Sequence, residues 1–127
     1  MAPEKESDIQ RTILDWLSAK RIFHYRQNNI PTPLPNGGYR PVATPGLPDI
    51  VVVLGGRHVG IEVKSRRGIQ SPAQQEFERK LRAAGGVYIL ARSVEDVERA
   101  IGSLIPHDGS VCPACRAAED FKNRKIA

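Results

Sequence analysis

Apolar residues recur at three- and four-residue intervals through Ile9, Ile13, Leu14, Trp16 and Leu17, which predicts an amphipathic helix over residues 4 to about 21. Glu6 lies three before Ile9 and seven before Ile13, so it continues that stripe and points a carboxylate inward. Two ordinary roles compete with this. Glu6 also suits the first turn, where the helix dipole favours acids, and Ser7 with Gln10 is a capping box that would start the helix beyond it. Ile22, Phe23 and Tyr25 suggest a short strand within Arg21 to Asn29, with His24, Arg26 and Asn28 on one face and Phe23, Tyr25 and Gln27 on the other. Two β-branched runs, Ile50 to Leu54 and Val59 to Val63, flank Gly55-Gly56-Arg57-His58 and predict a hairpin. Ser71, Pro72 and Gln74 then carry a strong helix start, with Phe77, Leu81 and Ala84 facing inward and Gly85-Gly86 ending the helix. Val87 to Ala91 is wholly apolar, as in a strand buried on both faces. A last helix over 94–104 opens on Ser93 and Asp96, turns Val94, Val97, Ile101 and Leu104 inward, and stops at Pro106.

The order helix, strand, hairpin, helix, strand, helix predicts an α/β fold, a small mixed β-sheet flanked by helices. A right-handed crossover would join residues 59–64 to 87–91. Between them and the opening elements, residues 30–48 hold six of the ten prolines with Gly37, Gly38 and Gly46. That composition excludes helix and predicts an extended arm or irregular hairpin turning at Pro35-Asn36-Gly37-Gly38. With 127 residues the chain has room for one core, taken here as a domain over 1–106 and a basic tail over 107–127.

Charge narrows the partners. The formal net charge of +5 favours a polyanion, with DNA the expected partner. No run of about 18 apolar residues occurs and the N-terminus is polar, so no membrane is expected and the location expected is cytoplasmic.

The candidate chemistry gathers on the hairpin. If Leu54 pairs with Val59, Val51 faces Glu62 and Asp49 faces Lys64, with Asp49, Glu62 and Lys64 on the side opposite the apolar run. Diagonal neighbours about 7–8 Å apart can share one hydrated divalent ion. Two carboxylates with the Val63 carbonyl form a hard-oxygen set suited to Mg²⁺ or Mn²⁺. The plain alternative is an amphipathic surface hairpin with a solvated Asp–Lys pair. Arg66 and Arg67 make a basic turn beside Lys64, and Tyr39-Arg40 sits near the tip of the arm, placed either to contact a phosphate or stack on a base, or simply in a connector. Gln74 is placed either to cap its helix or to reach the hairpin. In the tail, Cys112 and Cys115 are too close to staple a fold; they are half of a zinc site that His107 or a second subunit would complete, or simply reduced thiols. A redox pair would want a helix start after a strand, which this position does not offer.

Pro48-Asp49 followed by Glu62-Val63-Lys64 on the next strand resembles the signature of the PD-(D/E)-x-K nucleases. With its flanks the chain resembles the VRR-NUC branch, in its small stand-alone phage and bacterial form. The matching residues are Glu6 heading Ile9-Gln10-Arg11-x-x-Leu14-x-x-Leu17, Arg26-Gln27-Asn28, Gly46-x-Pro48-Asp49, Glu62-Val63-Lys64, and Ser71-Pro72-x-Gln74 before Phe77, Leu81 and Gly85. The resemblance implies a restriction-endonuclease-like, Holliday-resolvase-like three-layer core. It also implies a metal held by Asp49 and Glu62, supported by Glu6 and Gln74. Asn28-Asn29-Ile30 departs from the family's usual Asn followed by a small residue, and the Cys-x-x-Cys tail lies outside its pattern. The expected function is a Mg²⁺- or Mn²⁺-dependent DNA endonuclease, selective for junctions or flaps and working as a homodimer. Lys64 would orient the attacking water, and Arg26, Asn28, Arg40, Arg66 and Arg67 would meet the DNA. One rival is a catalytically inactive nucleic-acid-binding or assembly module on the same fold; a second is a zinc-dependent partner-binding protein centred on Cys112 and Cys115.

Overall fold

The computed structural model describes residues 4–27, 31–40 and 44–105. Its elements run α1 (Glu6–Ala19), β1 (His24–Arg26), β2 (Thr32–Pro33), β3 (Tyr39–Arg40), β4 (Ile50–Leu54), β5 (Arg57–Val63), α2 (Pro72–Ala83), β6 (Val87–Ala91) and α3 (Val94–Leu104). Asn28, Pro106, His107, Cys112 and Cys115 lie outside the described residues, and with them the zinc and tail expectations.

Four strands form one mixed sheet in the order β1-β4-β5-β6, antiparallel except for β5 and β6, which pair in parallel across the α2 connection. Period-two alternation sorts the side chains. Ile50, Val52 and Leu54 of β4 and Val59, Ile61 and Val63 of β5 join Ile9, Ile13 and Leu17 of α1 and Val97 and Ile101 of α3 in one core. Each such side chain, fully buried, contributes roughly 1.5–3 kcal/mol. The opposite face carries α2, so the fold has three layers. Glycine at position 60 lets that second layer close: a Cβ there would come within 2.7 Å of Pro48 and 3.4 Å of Leu81.

That second layer is thinner than the sequence pattern implies. No residue of α2 is fully buried; Phe77 and Leu81 are half-buried and Ala84 is exposed. The helix lies on β6 and over Gly60 of β5 and does not extend to a full inward stripe. At the sheet's edge, β6 still has both faces covered, with Tyr88 and Ile89 buried on opposite sides. Arg82 Nη2 donates to the Tyr88 carbonyl at 3.1 Å, which occupies one of the groups this edge would otherwise present.

The helix ends follow local chemistry, with two corrections. Glu6 itself begins α1 and Lys5 precedes it with no side-chain cap, so the Ser7–Gln10 capping box is not used. Arg21 takes the left-handed conformation after α1, φ 57°, with Arg21 N–H bonded to Ser18 and Ile22 N–H to Leu17. Gly85, φ 91°, does the same after α2 without the Cβ penalty. Ser71 and Gln74 form the complete capping box expected at α2. At α3 only half of it forms: Ser93 Oγ accepts from Asp96 N, whereas the Asp96 carboxylate accepts from Arg92 N at 2.9 Å. The arm is a hairpin, β2 against β3, turning over residues 35–38 with Gly37 at φ 86°.

Candidate active site

The β4–β5 hairpin closes through a two-residue Gly55-Gly56 turn, both φ positive at 58° and 81°, rather than through four residues. Paired glycines suit the primed turn that matches strand twist. Leu54 therefore pairs with Arg57, not Val59, and Val51 with Gly60, not Glu62. A slip of two residues keeps every side chain on its expected face, but it changes neighbours. Continued one step beyond Ile50↔Ile61, the register sets Asp49 level with Glu62 instead of Lys64. Asp49 Oδ2 accepts from Val63 N–H at 2.8 Å, which locks the aspartate against β5.

Asp49 is positioned by close packing around the loop before it. Gly46 has φ 77°, and a Cβ there would lie 2.2 Å from the Ala73 carbonyl oxygen. Only glycine lets this loop pass against the first turn of α2. Pro48 is fully buried next to Gly60. The Gly46-Leu47-Pro48-Asp49 stretch is thus wedged between β5 and the N-terminus of α2.

Glu62 is the one buried charged residue of the described core, 3% exposed. Gln74 Nε2 donates to Glu62 Oε1 at 2.8 Å, while Gln74 Oε1 accepts from Ser71 N–H at 2.8 Å. The two roles weighed for this amide are both filled, one by each end. Lys64 Nζ lies 3.7 Å from Glu62 Oε1. The other oxygen, Glu62 Oε2, is buried without a hydrogen-bond partner. Burial, and then the neighbouring Asp49 carboxylate, raise the Glu62 pKa from 4.5 to about 8, with Lys64 acting the other way. One row behind, the Tyr88 hydroxyl is pushed up to about 12, chiefly by burial, with the Gln70 amide opposing and the Glu62, Glu78 and Asp49 carboxylates adding to the rise.

Two carboxylates, one with an orphaned buried oxygen, suit a hard divalent cation that would supply the missing charge and donor. Among the described residues no three His, Cys, Asp or Glu side chains gather into a metal cluster. The fit is therefore to an ion such as Mg²⁺ or Mn²⁺ that takes one or two carboxylates and keeps several waters. Asp49, Glu62, Lys64, Gln74 and the Val63 backbone are brought together. Glu6 is not gathered with them: it is exposed in the first turn of α1, where the dipole favours it. Arg66 and Arg67 are exposed in the loop after Lys64, and Arg40 is exposed on the arm. Arg26 is exposed too, but it pairs with Ile50 and so belongs to the opposite sheet face.

Two residues of this neighbourhood, Gln27 and Arg92, carry no site role in the sequence reading. Gln27 N–H donates to the Asp49 carbonyl at 2.9 Å, and Gln27 Oε1 is buried without a partner, so Gln27, Asp49 and Glu62 form one row across three strands. The signal was present in the alternation that set Gln27 opposite Arg26 and Asn28. Arg92 had no signal at all. Its Nη1 donates to the Ser65 carbonyl at 2.6 Å and the Gly68 carbonyl at 2.7 Å, with Arg66 O at 3.3 Å. It ties down the loop that follows Lys64, whose stem packs against Gly68.

No family model matches the chain, and no curated protein matches it. A solved structure described as a VRR_NUC domain protein is similar, with a TM-score of 0.59 and 19% identity, covering 80% of this chain and 88% of that one. At that identity the likeness is one of fold, and it agrees with the three-layer α/β architecture. No helix of the described residues is long and apolar enough to cross a membrane.

Proposed function

We propose that this chain, which has the fold of a VRR_NUC domain, is a Mg²⁺- or Mn²⁺-dependent nuclease that hydrolyses DNA phosphodiester bonds. The observation that carries this is Glu62, buried beside Asp49, held by Gln74, flanked by Lys64 and left with one unpartnered oxygen. Asp49 and Glu62, with the Val63 carbonyl, would hold the ion. When bound, the ion supplies Lewis acidity toward the phosphate and lowers the pKa of a water.

The chain's own groups do the remaining work. Val63 N–H and the wedged loop fix Asp49, and Gln74 fixes the Glu62 carboxylate, so neither has to reorganise during the reaction. The Lys64 ammonium orients the attacking water and offsets negative charge as the new P–O bond forms and the bridging P–O bond breaks. Arg66 and Arg67, exposed beside it, meet backbone phosphates independently of sequence. The α2 N-terminus, close to Glu62 through Gln74, adds a dipole that favours the anion. Cleavage of both strands of a duplex requires two such sites, which a two-fold dimer of the chain supplies.

The test is incubation with labelled duplex, flap, single-stranded and four-way DNA in Mn²⁺, Mg²⁺ or EDTA. Scission in either metal and none in EDTA is expected. Equal binding in all three with no scission would instead identify a non-catalytic nucleic-acid-binding module.

A further inference from the structure

The sheet face that carries Asp49 and Glu62 is covered unevenly. α2 rests on β6 and over Gly60 of β5. Beyond it, on β1 and β4, Phe23, Tyr25 and Val53 are 67%, 46% and 40% exposed. The register shows that these belong to the same face as the carboxylates. Val53 N–H donates to the Phe23 carbonyl, Tyr25 pairs with Val51, and Gln27 N–H donates to the Asp49 carbonyl. Successive same-face residues on a strand are about 7 Å apart. Tyr25 therefore lies about 7 Å, and Phe23 roughly 13 Å, from the Gln27–Asp49–Glu62 row. The two rings stand edge to face, with centroids 6.3 Å apart.

We propose that Phe23 and Tyr25 form a stacking platform for unpaired bases of the DNA strand whose phosphate enters the Asp49–Glu62 site. The chain then takes its substrate strand single-stranded or locally frayed. This rests on the nuclease reading for the identity of the strand, and on the shared face for its path. Three observations favour a nucleobase over a second protein surface. The exposed apolar groups are mainly aromatic, and base–aromatic stacking tolerates any sequence because every base has a π-face. The patch is small: two partly exposed rings offer on the order of 200 Å², since a whole aromatic side chain presents about 150–250 Å². A stable protein interface needs about 800 Å² per partner. The chain is also basic, with a net charge of +5. Within a duplex each base is already stacked on its neighbours, so only an unpaired strand offers these rings a free face.

The experiment measures binding, not cleavage. Fluorescence anisotropy in EDTA compares labelled oligothymidylate with a duplex of equal length, for the whole chain and for Phe23→Ala, Tyr25→Ala, the double variant and Phe23→Leu. Each alanine should weaken single-strand binding by roughly tenfold, as expected for the loss of one stacked base, and leave duplex binding unchanged. Phe23→Leu, which keeps the apolar bulk, should lose nearly as much as Phe23→Ala. Without DNA, melting temperatures should fall only modestly, because Phe23 is largely exposed and Tyr25, 46% exposed, loses mainly its edge-to-face contact with Phe23. Equal affinities for all variants, or equal losses on single strand and duplex, would overturn the proposal. So would sedimentation showing a dimer that the double variant dissociates, since the face would then belong to a second copy. Ring-dependent binding without scission in metal would leave the platform standing and remove the nuclease reading; scission with ring-independent binding would do the reverse.

Discussion

Gln74 bridges Ser71 and Glu62: its carbonyl oxygen accepts from the Ser71 N–H and its amide nitrogen donates to Glu62 Oε1, each at 2.8 Å. One side chain thereby couples the start of α2 to the carboxylate at the centre of the site. Gln74→Ala keeps the Gln74 N–H bond to Ser71 Oγ but should cost about 1 kcal/mol through the lost Ser71 N–H bond to Gln74 Oε1. It should also lower Mn²⁺ affinity or cleavage rate by roughly 10–100-fold, as is usual for groups that orient a metal ligand. Calorimetric Mn²⁺ titration beside a melting curve separates the two; a melting shift with unchanged metal affinity would reduce Gln74 to a cap.

The Glu62 carboxyl carries a pH signature. Its folded pKa of about 8 lies above the ordinary 4.5, so the native state keeps a proton that the unfolded chain has released between those values. The stability this group contributes is intact below about pH 4.5, falls as pH rises, and is lost above about pH 8. In EDTA, Glu62→Gln should therefore melt above wild type near pH 8 and match it more closely near pH 5. Adding Mn²⁺ near pH 8 should stabilise wild type alone, since the ion needs the ionised carboxylate. Parallel melting profiles for the two proteins would show that Glu62 is not the strained group.

Arg92 positions the loop after Lys64 through the carbonyls of Ser65 and Gly68. Arg92→Ala should lose about 1.5–3 kcal/mol of stability, the usual worth of a charge-assisted hydrogen bond. For cleavage, kcat should fall and KM should rise, because Lys64 and the Arg66–Arg67 pair ride on the same loop. Arg92→Lys should recover part of each. A lower Tm with unchanged kinetics would confine Arg92 to stability.

Arg21 sits at φ 57° at the C-terminal stop of α1, where the left-handed conformation costs a side chain about 1–2 kcal/mol. Arg21→Gly should relieve part of that and raise Tm by several degrees, about 4–8 °C per kcal/mol for a domain near this size. Thermal unfolding checks it; an unchanged or lower Tm would mean that the arginine contributes more than its strain costs.

Much of the fold was legible because periodicity reports burial. The α3 bounds, the α2 start and the two faces of the hairpin all follow from spacing and from capping residues. The register did not, because a Gly-Gly pair can close a hairpin in two residues or open into a longer loop. That slip decided whether Asp49 meets Glu62 or Lys64. Facing survived because a two-residue shift preserves parity. Glu6 shows the limit of stripe reasoning at a helix end, where three-residue spacing extends past the last residue the sheet covers. Ala84 shows the same limit at the other end of α2. Arg92 was invisible because its three partners are backbone carbonyls, which carry no sequence.

The most direct measurement compares Mn²⁺-dependent cleavage of a labelled flap DNA by wild type, Asp49→Ala and Glu62→Ala, with circular dichroism confirming that all three are folded. Wild type should cut in Mn²⁺ and not in EDTA, and neither variant should cut at a rate distinguishable from EDTA. Near-wild-type turnover by either variant would contradict a metal held between Asp49 and Glu62.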